Sequence, residues 1–183
     1  AHSLGMAQRL KLADAVLPHD AIILCSFGDA SANHSTSQGA FNAACWAAYQ
    51  HLPMPIIFLC EDNGIGISVR TPGGWIEANF AHRPALHYIQ CDGADLNDAL
   101  RGCQEAVHYA RSRRKPVFLH MRTVRLMGHA GADVEASYSA LAHIETAEAQ
   151  DPLLHSARIV HEQAGLSGEE IVRRYQDMRA RVD

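Results

Sequence analysis

Ala21-Ile22-Ile23-Leu24-Cys25-Ser26-Phe27-Gly28-Asp29-Ala30-Ser31-Ala32-Asn33 is an apolar run of strand length that ends in a small, polar turn and runs toward a helical pattern starting near Ser37. A strand that is apolar on both faces suits a buried position in a parallel sheet. The same pattern recurs at Pro55 to Cys60, at Val117 to Met121 and, more weakly, at Leu86 to Cys91. Helical patterns alternate with these runs, over 4–16, 37–51, 95–113, 152–164 and 168–181, and Ser167 followed by Glu170 has the spacing of a capping box for the last of them. Alternation of this kind predicts an α/β fold, a parallel sheet covered by helices on both faces. Residues 127–151 break the rhythm, and a long irregular segment inside a compact domain usually serves function.

The chain has 183 residues and a net charge of −4, with nearly half its residues apolar. That is enough for one α/β domain over 1–183 with a real core. The charge gives no basic footprint, so nucleic acid is not expected as a partner. No run of about 18 apolar residues is present, so no membrane partner is expected. The start shows no signal peptide and no initiator Met, and the expectation is a fragment of a longer chain. Cysteines at 25, 45, 60, 91 and 103 form no C-x-x-C pair. They are read as buried, reduced thiols of a cytoplasmic, bacterial-type protein. Trp46 and Tyr49, three apart on one helix, are read as core.

The chemistry is expected where strands end, since ligands of open parallel sheets bind at the carboxyl ends. After the first strand, Gly28 permits a tight turn, Asp29 supplies a hard oxygen, and backbone N–H groups of the following turn can hold phosphate. The bland alternative is an ordinary strand-to-helix turn with Asp as a cap. After the second strand, Glu61-Asp62-Asn63-Gly64-Ile65-Gly66-Ile67-Ser68 offers the Asn63 amide oxygen, with glycines that let a carbonyl such as that of Ile65 turn inward. Alone it is equally a glycine-rich loop. Mg²⁺ takes about six oxygens, often including phosphate, and Asp29, Asn63, one carbonyl, two phosphate oxygens and a water would complete such a set.

This pairing resembles the fingerprint of thiamine-diphosphate enzymes, Gly-Asp-Gly followed a helix and a strand later by Asn-Asn. It is most similar to the α-type part of the first component of 2-oxo acid dehydrogenases. Asn33 and Gly39 resemble the Asn and Gly that follow the fingerprint, with His34-Ser35-Thr36-Ser37 inserted between. Further along, Cys91-Asp92-Gly93-Ala94-Asp95 resembles the family's Asp-Gly-x-Asp turn and Lys115-Pro116-Val117-Phe118-Leu119 its Gly-Pro strand entry. Arg125-Leu126-Met127-Gly128-His129 resembles its Arg-x-x-Gly-His loop, with Ser137-Tyr138 and Asp151-Pro152 beyond. Ser3-Leu4-Gly5-Met6-Ala7 resembles the start of the preceding helix. Two positions depart from the pattern: Ala30 replaces the second Gly, and Asp62 replaces the first Asn. Asp62 is read as a structural hydrogen-bonding residue outside the metal's coordination; the alternative is that it ligates, which would add charge to the site and weaken the assignment of Asn63.

The resemblance implies a thiamine-diphosphate-binding fold and the following roles. Asp29 and Asn63 would bind Mg²⁺ by side chain and Ile65 by its carbonyl. Gly28, Ala30 and Ser31 would lie against the diphosphate, and Arg125 and His129 would reach its oxygens, His129 as the catalytic-loop histidine. The alternatives are a surface ion pair for Arg125 and a loop histidine without a role for His129. His34 is a further, lesser candidate near the cofactor. In animal members the residue after the loop His is a regulatory phosphoserine; here it is Ala130. The implied reaction is oxidative decarboxylation of a 2-oxo acid with acyl transfer to a lipoyl acyltransferase partner. The Glu that activates the cofactor's aminopyrimidine comes in this family from a β-type subunit or domain, and neither Glu61 nor Glu77 is a candidate for it. An α₂β₂ heterotetramer or a dimer of fused chains is expected, inactive without its β-type part. Rival readings are a transketolase-like enzyme, a non-catalytic cofactor-binding or assembly module, and, more remotely, a Rossmann domain, which lacks its G-x-G-x-x-G here. His82, His87, His108, His120, His143, His155 and His161 share no ligand spacing and are given no role.

Overall fold

The computed structural model describes residues 1–11 and 17–182. Strands β1 (Ile23–Gly28), β2 (Ile56–Asp62), β3 (His87–Asp92) and β4 (Val117–Arg122) form one wholly parallel sheet in the order β1-β2-β4-β3. Around it run α1 (His2–Arg9), α2 (Ser35–Tyr49), α3 (Trp75–Phe80), α4 (Leu96–Arg113), α5 (Leu141–Glu148), α6 (Pro152–Ala164) and α7 (Gly168–Val182). The expected α/β class is therefore what the chain adopts. The helix read over 4–16 begins at His2, and its part from residue 12 to 16 lies outside the described residues.

The two faces of the sheet have different chemistry because successive side chains of a strand point to opposite sides. One face is aromatic: Phe58 of β2 and Phe118 of β4 pack with Phe41 of α2 and Phe80 of α3. Phe80 stacks on Phe118 with centroids 4.0 Å apart, and Phe41 meets Phe58 edge-on at 4.9 Å. Such ring pairs add about 0.5–1.5 kcal/mol each beyond the area they bury. The opposite face is aliphatic, with Ile57, Ile89, Val117 and Leu119 covered by Ala106 and Ala110 of α4. Small residues on α4 let the helix sit close to the strands.

Helix ends follow local chemistry. Asp95 accepts hydrogen bonds from the Asn97 and Asp98 N–H groups and so starts α4. Asp151 does the same for α6 through Leu153 N–H, with Pro152 in the first turn where its missing N–H costs nothing. Ser167 Oγ accepts from Glu170 N–H at 3.2 Å, as the capping-box spacing predicts.

Three expectations are corrected. Trp46 is 68% exposed and Tyr49 is exposed as well, because α2 buries Phe41, Ala44, Cys45 and Ala48 and turns the other two toward solvent. Cys25 is exposed rather than buried, along with Ile23 and Leu24, because β1 pairs on one side only, with β2. Helices α3 and α5 arise where no helix was read. No helix among the described residues is long and apolar enough to cross a membrane.

Candidate functional site

Because all four strands are parallel, their carboxyl ends meet at one edge. Gly28 lies opposite Glu61, and Asp62 opposite Arg122. The chain after β1, the loop after β2 and the segment after β4 therefore emerge side by side. Between them lies an open cleft of about 520 Å³, lined by Gly28, Glu61, Asn63, Val124, Arg125 and Gly128. Glu61 is exposed at its rim.

Asp29 is the most informative residue there. It precedes a 3-10 turn over Ala30–Asn33, its side chain is 1% exposed, and its Oδ2 has no hydrogen-bond partner. Burial pushes its pKa above the ordinary carboxylate value, the nearby Asp62 charge adds to this, and a hydrogen bond from Thr71 works against it. A buried carboxylate oxygen with nothing to satisfy it is costly unless a cation supplies the missing partner.

The loop after β2 is held tightly. Asn63 Oδ1 accepts Ile65 N–H at 3.0 Å, Gly64 takes φ of 74°, and Thr71 N–H returns to the Gly64 carbonyl at 3.0 Å. A bridge between Ile65 and Arg70 closes the loop on itself, which brings Thr71 beside Asp29. Gly66 sits against Ala30: a Cβ built on Gly66 would lie 3.1 Å from that of Ala30. Ala30 and Ser31 are both exposed at the turn.

Arg125 is 12% exposed and is spent largely on this loop. Its Nη1 donates to the carbonyls of Gly66 and Ile67 at 2.9 and 3.0 Å, and its Nη2 to Tyr138 Oη at 2.8 Å. Glu135 lies 3.7 Å away. It is thus neither a surface ion pair nor a side chain free to swing over the cleft, and its buried Nε alone lacks a partner. The irregular segment after β4 is ordered by Asp133, whose Oδ2 accepts His129 N–H and Tyr138 O–H at 2.6 Å each. Those two hydrogen bonds, Tyr138 first, hold the Asp133 pKa below the ordinary range. The His129 side chain is exposed on this segment.

His34 has a structural use: its Nδ1 accepts Thr36 N–H at 3.2 Å and caps α2, so the inserted residues form the first turn of that helix. Asn33 Oδ1 accepts the Trp75 indole N–H, which ties the turn after β1 to α3. Nothing lies within 4 Å of a Cβ built on Gly39, leaving that position open.

One residue escaped the sequence. His120 of β4 is 4% exposed. Its Nε2 lies 2.7 Å from Asp62 Oδ2 and its Nδ1 2.6 Å from Tyr88 Oη, while Asp62 Oδ1 accepts Gly64 N–H at 3.0 Å. Asp62 is thus a structural hydrogen-bonding residue, as read. A polar residue inside the otherwise apolar run Val117 to Met121 was the available signal. No cluster of three or more His, Cys, Asp or Glu that could hold a metal is found among the described residues. The expected set of one carboxylate, one amide and one carbonyl would not form such a cluster.

Comparison with known sequences agrees with this arrangement. Residues 2–183 match the family described as "Dehydrogenase E1 component". The chain is 31% identical over 135 residues to the pyruvate dehydrogenase E1 component subunit alpha of Rhizobium meliloti (strain 1021), covering 72% of this chain and 36% of that protein. It is 30% identical over 172 residues to the 2-oxoisovalerate dehydrogenase subunit alpha of Bacillus subtilis (strain 168), covering 92% and 49%. A 2-oxoisovalerate dehydrogenase subunit alpha of Caenorhabditis elegans is 30% identical over 165 residues, covering 88% and 37%. The chain thus spans about a third to a half of the length of the curated relatives it matches. With the order of its elements and the pairing of its two strand-end loops, it belongs to the dehydrogenase E1 component family, as an alpha-type chain.

Proposed function

We propose that this chain supplies the diphosphate- and Mg²⁺-binding half of a thiamine-diphosphate site in a 2-oxo acid dehydrogenase. The observation that carries the reading is the buried, unpartnered Oδ2 of Asp29 at the carboxyl end of β1. Mg²⁺ bound there would remove the cost of that buried charge and leave phosphate oxygens to complete its coordination. Asn63 Oδ1 already accepts one N–H and has a second lone pair for the cation. The Ile65 carbonyl would be the third protein ligand.

The bound cofactor would supply the electron sink for loss of carbon dioxide from a 2-oxo acid. The chain's own part is binding and orientation. Gly28, Ala30 and Ser31 would offer backbone to the diphosphate, with the N–H groups of the 3-10 turn close by. Arg125 fixes the shape of the loop that carries Asn63 and Ile65, and its unpartnered Nε would be its donor toward phosphate. His129, exposed on the segment that Asp133 organises, would donate a ring N–H to the cofactor or substrate.

The acidic group for the aminopyrimidine would come from a β-type subunit or domain, and the acyl group would pass to a lipoyl acyltransferase. An α₂β₂ heterotetramer or a dimer of fused chains would house the complete site. Relatives named for pyruvate and for 2-oxoisovalerate match at 31% and 30% identity, so both acids are substrates to test. All five cysteines are free, which suits the proposed cytoplasmic setting.

The test is reconstitution of the complete protein with its β-type partner, followed by carbon dioxide release from pyruvate and from 2-oxoisovalerate with thiamine diphosphate and Mg²⁺. Release that needs all three components supports the reading. Cofactor binding without turnover on any 2-oxo acid would leave a non-catalytic module.

A further inference from the structure

His120 lies on a central strand, in the aromatic face of the core, where a polar ring needs a reason. Both of its nitrogens are engaged. Tyr88 Oη approaches Nδ1 at 2.6 Å, and Asp62 Oδ2 approaches Nε2 at 2.7 Å. Nε2 faces a carboxylate oxygen, an acceptor, and is assigned the ring proton on that geometry. With that assignment Nδ1 is left to accept, and the Tyr88 O–H is the donor placed to reach it. Burial raises the Tyr88 pKa, which keeps that donor protonated. The two contacts thus join Tyr88, His120 and Asp62 in one hydrogen-bonded series.

The far end of this chain is the loop after β2. Asp62 Oδ1 receives Gly64 N–H at 3.0 Å, and the Asp62 carbonyl receives Thr123 N–H at 2.7 Å. Asn63, between Asp62 and Gly64, closes the next turn on Ile65 N–H. The carboxylate is thus held at one oxygen by a buried ring and at the other by Gly64 N–H, where the bend of the loop begins.

We propose that His120 is a positioning residue, which, locked by Tyr88 and acting through Asp62, sets the bend that presents Asn63 and Ile65 to the metal. This rests on the cofactor reading for what the loop holds, but the shape of the loop can be tested without it. Three strands contribute: Asp62 from β2, Tyr88 from β3 and His120 from β4. The loop is thereby tied to the sheet's interior rather than to other loops alone. Groups that orient metal ligands from behind typically change metal affinity about 10–100-fold when removed.

The experiment uses the complete protein with His120→Leu, His120→Gln and Tyr88→Phe. Two readouts are taken: hydrogen exchange at the Gly64 and Ile65 amides, and calorimetric binding of thiamine diphosphate with Mg²⁺. His120→Leu is expected to speed exchange at both amides, leave Ile89 and Leu119 protected, and weaken Mg²⁺-dependent binding about 10-fold or more. His120→Gln, which keeps a donor toward Asp62, is expected to stay within about 3-fold of wild type. Tyr88→Phe keeps the ring volume and removes only the lock on Nδ1. It carries the test if Leu at 120 disturbs the fold, and is expected to speed exchange at Gly64 with the core protected. Faster exchange at Gly64 in His120→Leu and Tyr88→Phe, in a protein whose wild type binds no cofactor, would uphold the clamp while the cofactor reading fails. Unchanged exchange and unchanged binding in both His120→Leu and Tyr88→Phe would overturn the proposal and leave the cofactor reading intact.

Discussion

Ala30 and Gly66 face each other across the two loops of the candidate site, so closely that a Cβ on Gly66 would stand 3.1 Å from that of Ala30. The alanine that replaces the second glycine of the family's fingerprint is therefore matched by a residue without a side chain opposite. Gly66→Ala is expected to force the loops apart, at a cost of about 1–3 kcal/mol. Removing the opposing methyl in Ala30→Gly/Gly66→Ala should recover most of that loss. Thermal unfolding of the two variants checks this, and equal losses in both would show that the contact is not what limits the loop.

Asp29→Asn removes a charge that burial disfavours. The folded pKa of Asp29 is raised, so its penalty is absent below the unfolded value, grows as pH rises, and is fully present above the folded value. The variant should therefore melt higher than wild type at neutral pH in the absence of metal and cofactor, with the gap closing on acidification. In a chain of this size each kcal/mol gained moves Tm by about 2–4 °C. A lower Tm at pH 7 would mean that the carboxylate has a partner it needs.

Arg125 should behave as a staple of the glycine loop. Arg125→Lys loses the fork that spans Gly66, Ile67 and Tyr138, since an ammonium is a point donor. It is expected to expose the segment after Gly128 to proteolysis. The same segment depends on ionised Asp133, whose depressed pKa contributes stability that is present above the unfolded value and lost as pH falls through the folded one. Cleavage in the wild type should stay flat from neutral pH down to about 5 and rise only below about 4. Limited proteolysis across that range reads both effects.

Thiol labelling separates the cysteines. Burial pushes the Cys91 pKa up to about 11 and that of Cys60 further still, and Cys45 is raised too, whereas Cys25 is exposed. A maleimide at pH 7 should modify Cys25 first and leave Cys60 unmodified until the chain unfolds. Mass spectrometry of peptides gives the order, and early loss of the Cys60 thiol would contradict the aromatic face drawn here.

The strands and the two strand-end loops were legible because apolar runs and glycine turns are local signals. Phe58 and Phe118 stand in runs whose length and punctuation mark buried strands. Trp46 and Tyr49 were misread because helical spacing tells which residues share a face, and not which face is covered; Phe41 and Ala48 won the core side of α2. The α3 helix has six residues after two glycines, too few for a period to emerge. His120 was left without a role for another reason. Its partners at 62 and 88 lie on other strands, and only the parallel register, with Cys60 opposite His120 and Phe118 opposite Tyr88, brings the three together. Arg125 was found by its motif, yet its bonds to Gly66 and Ile67 depend on how the loop after β2 folds back.

The most direct measurement is calorimetric titration of thiamine diphosphate into the complete protein, with Mg²⁺ and with chelator, for wild type and Asp29→Ala. Saturable binding that needs Mg²⁺, is lost in Asp29→Ala and tightens with a β-type partner is the expected result. Binding that is indifferent to Mg²⁺ or to Asp29, or none in the assembled protein, would contradict the assignment of this strand end as the cofactor's anchor.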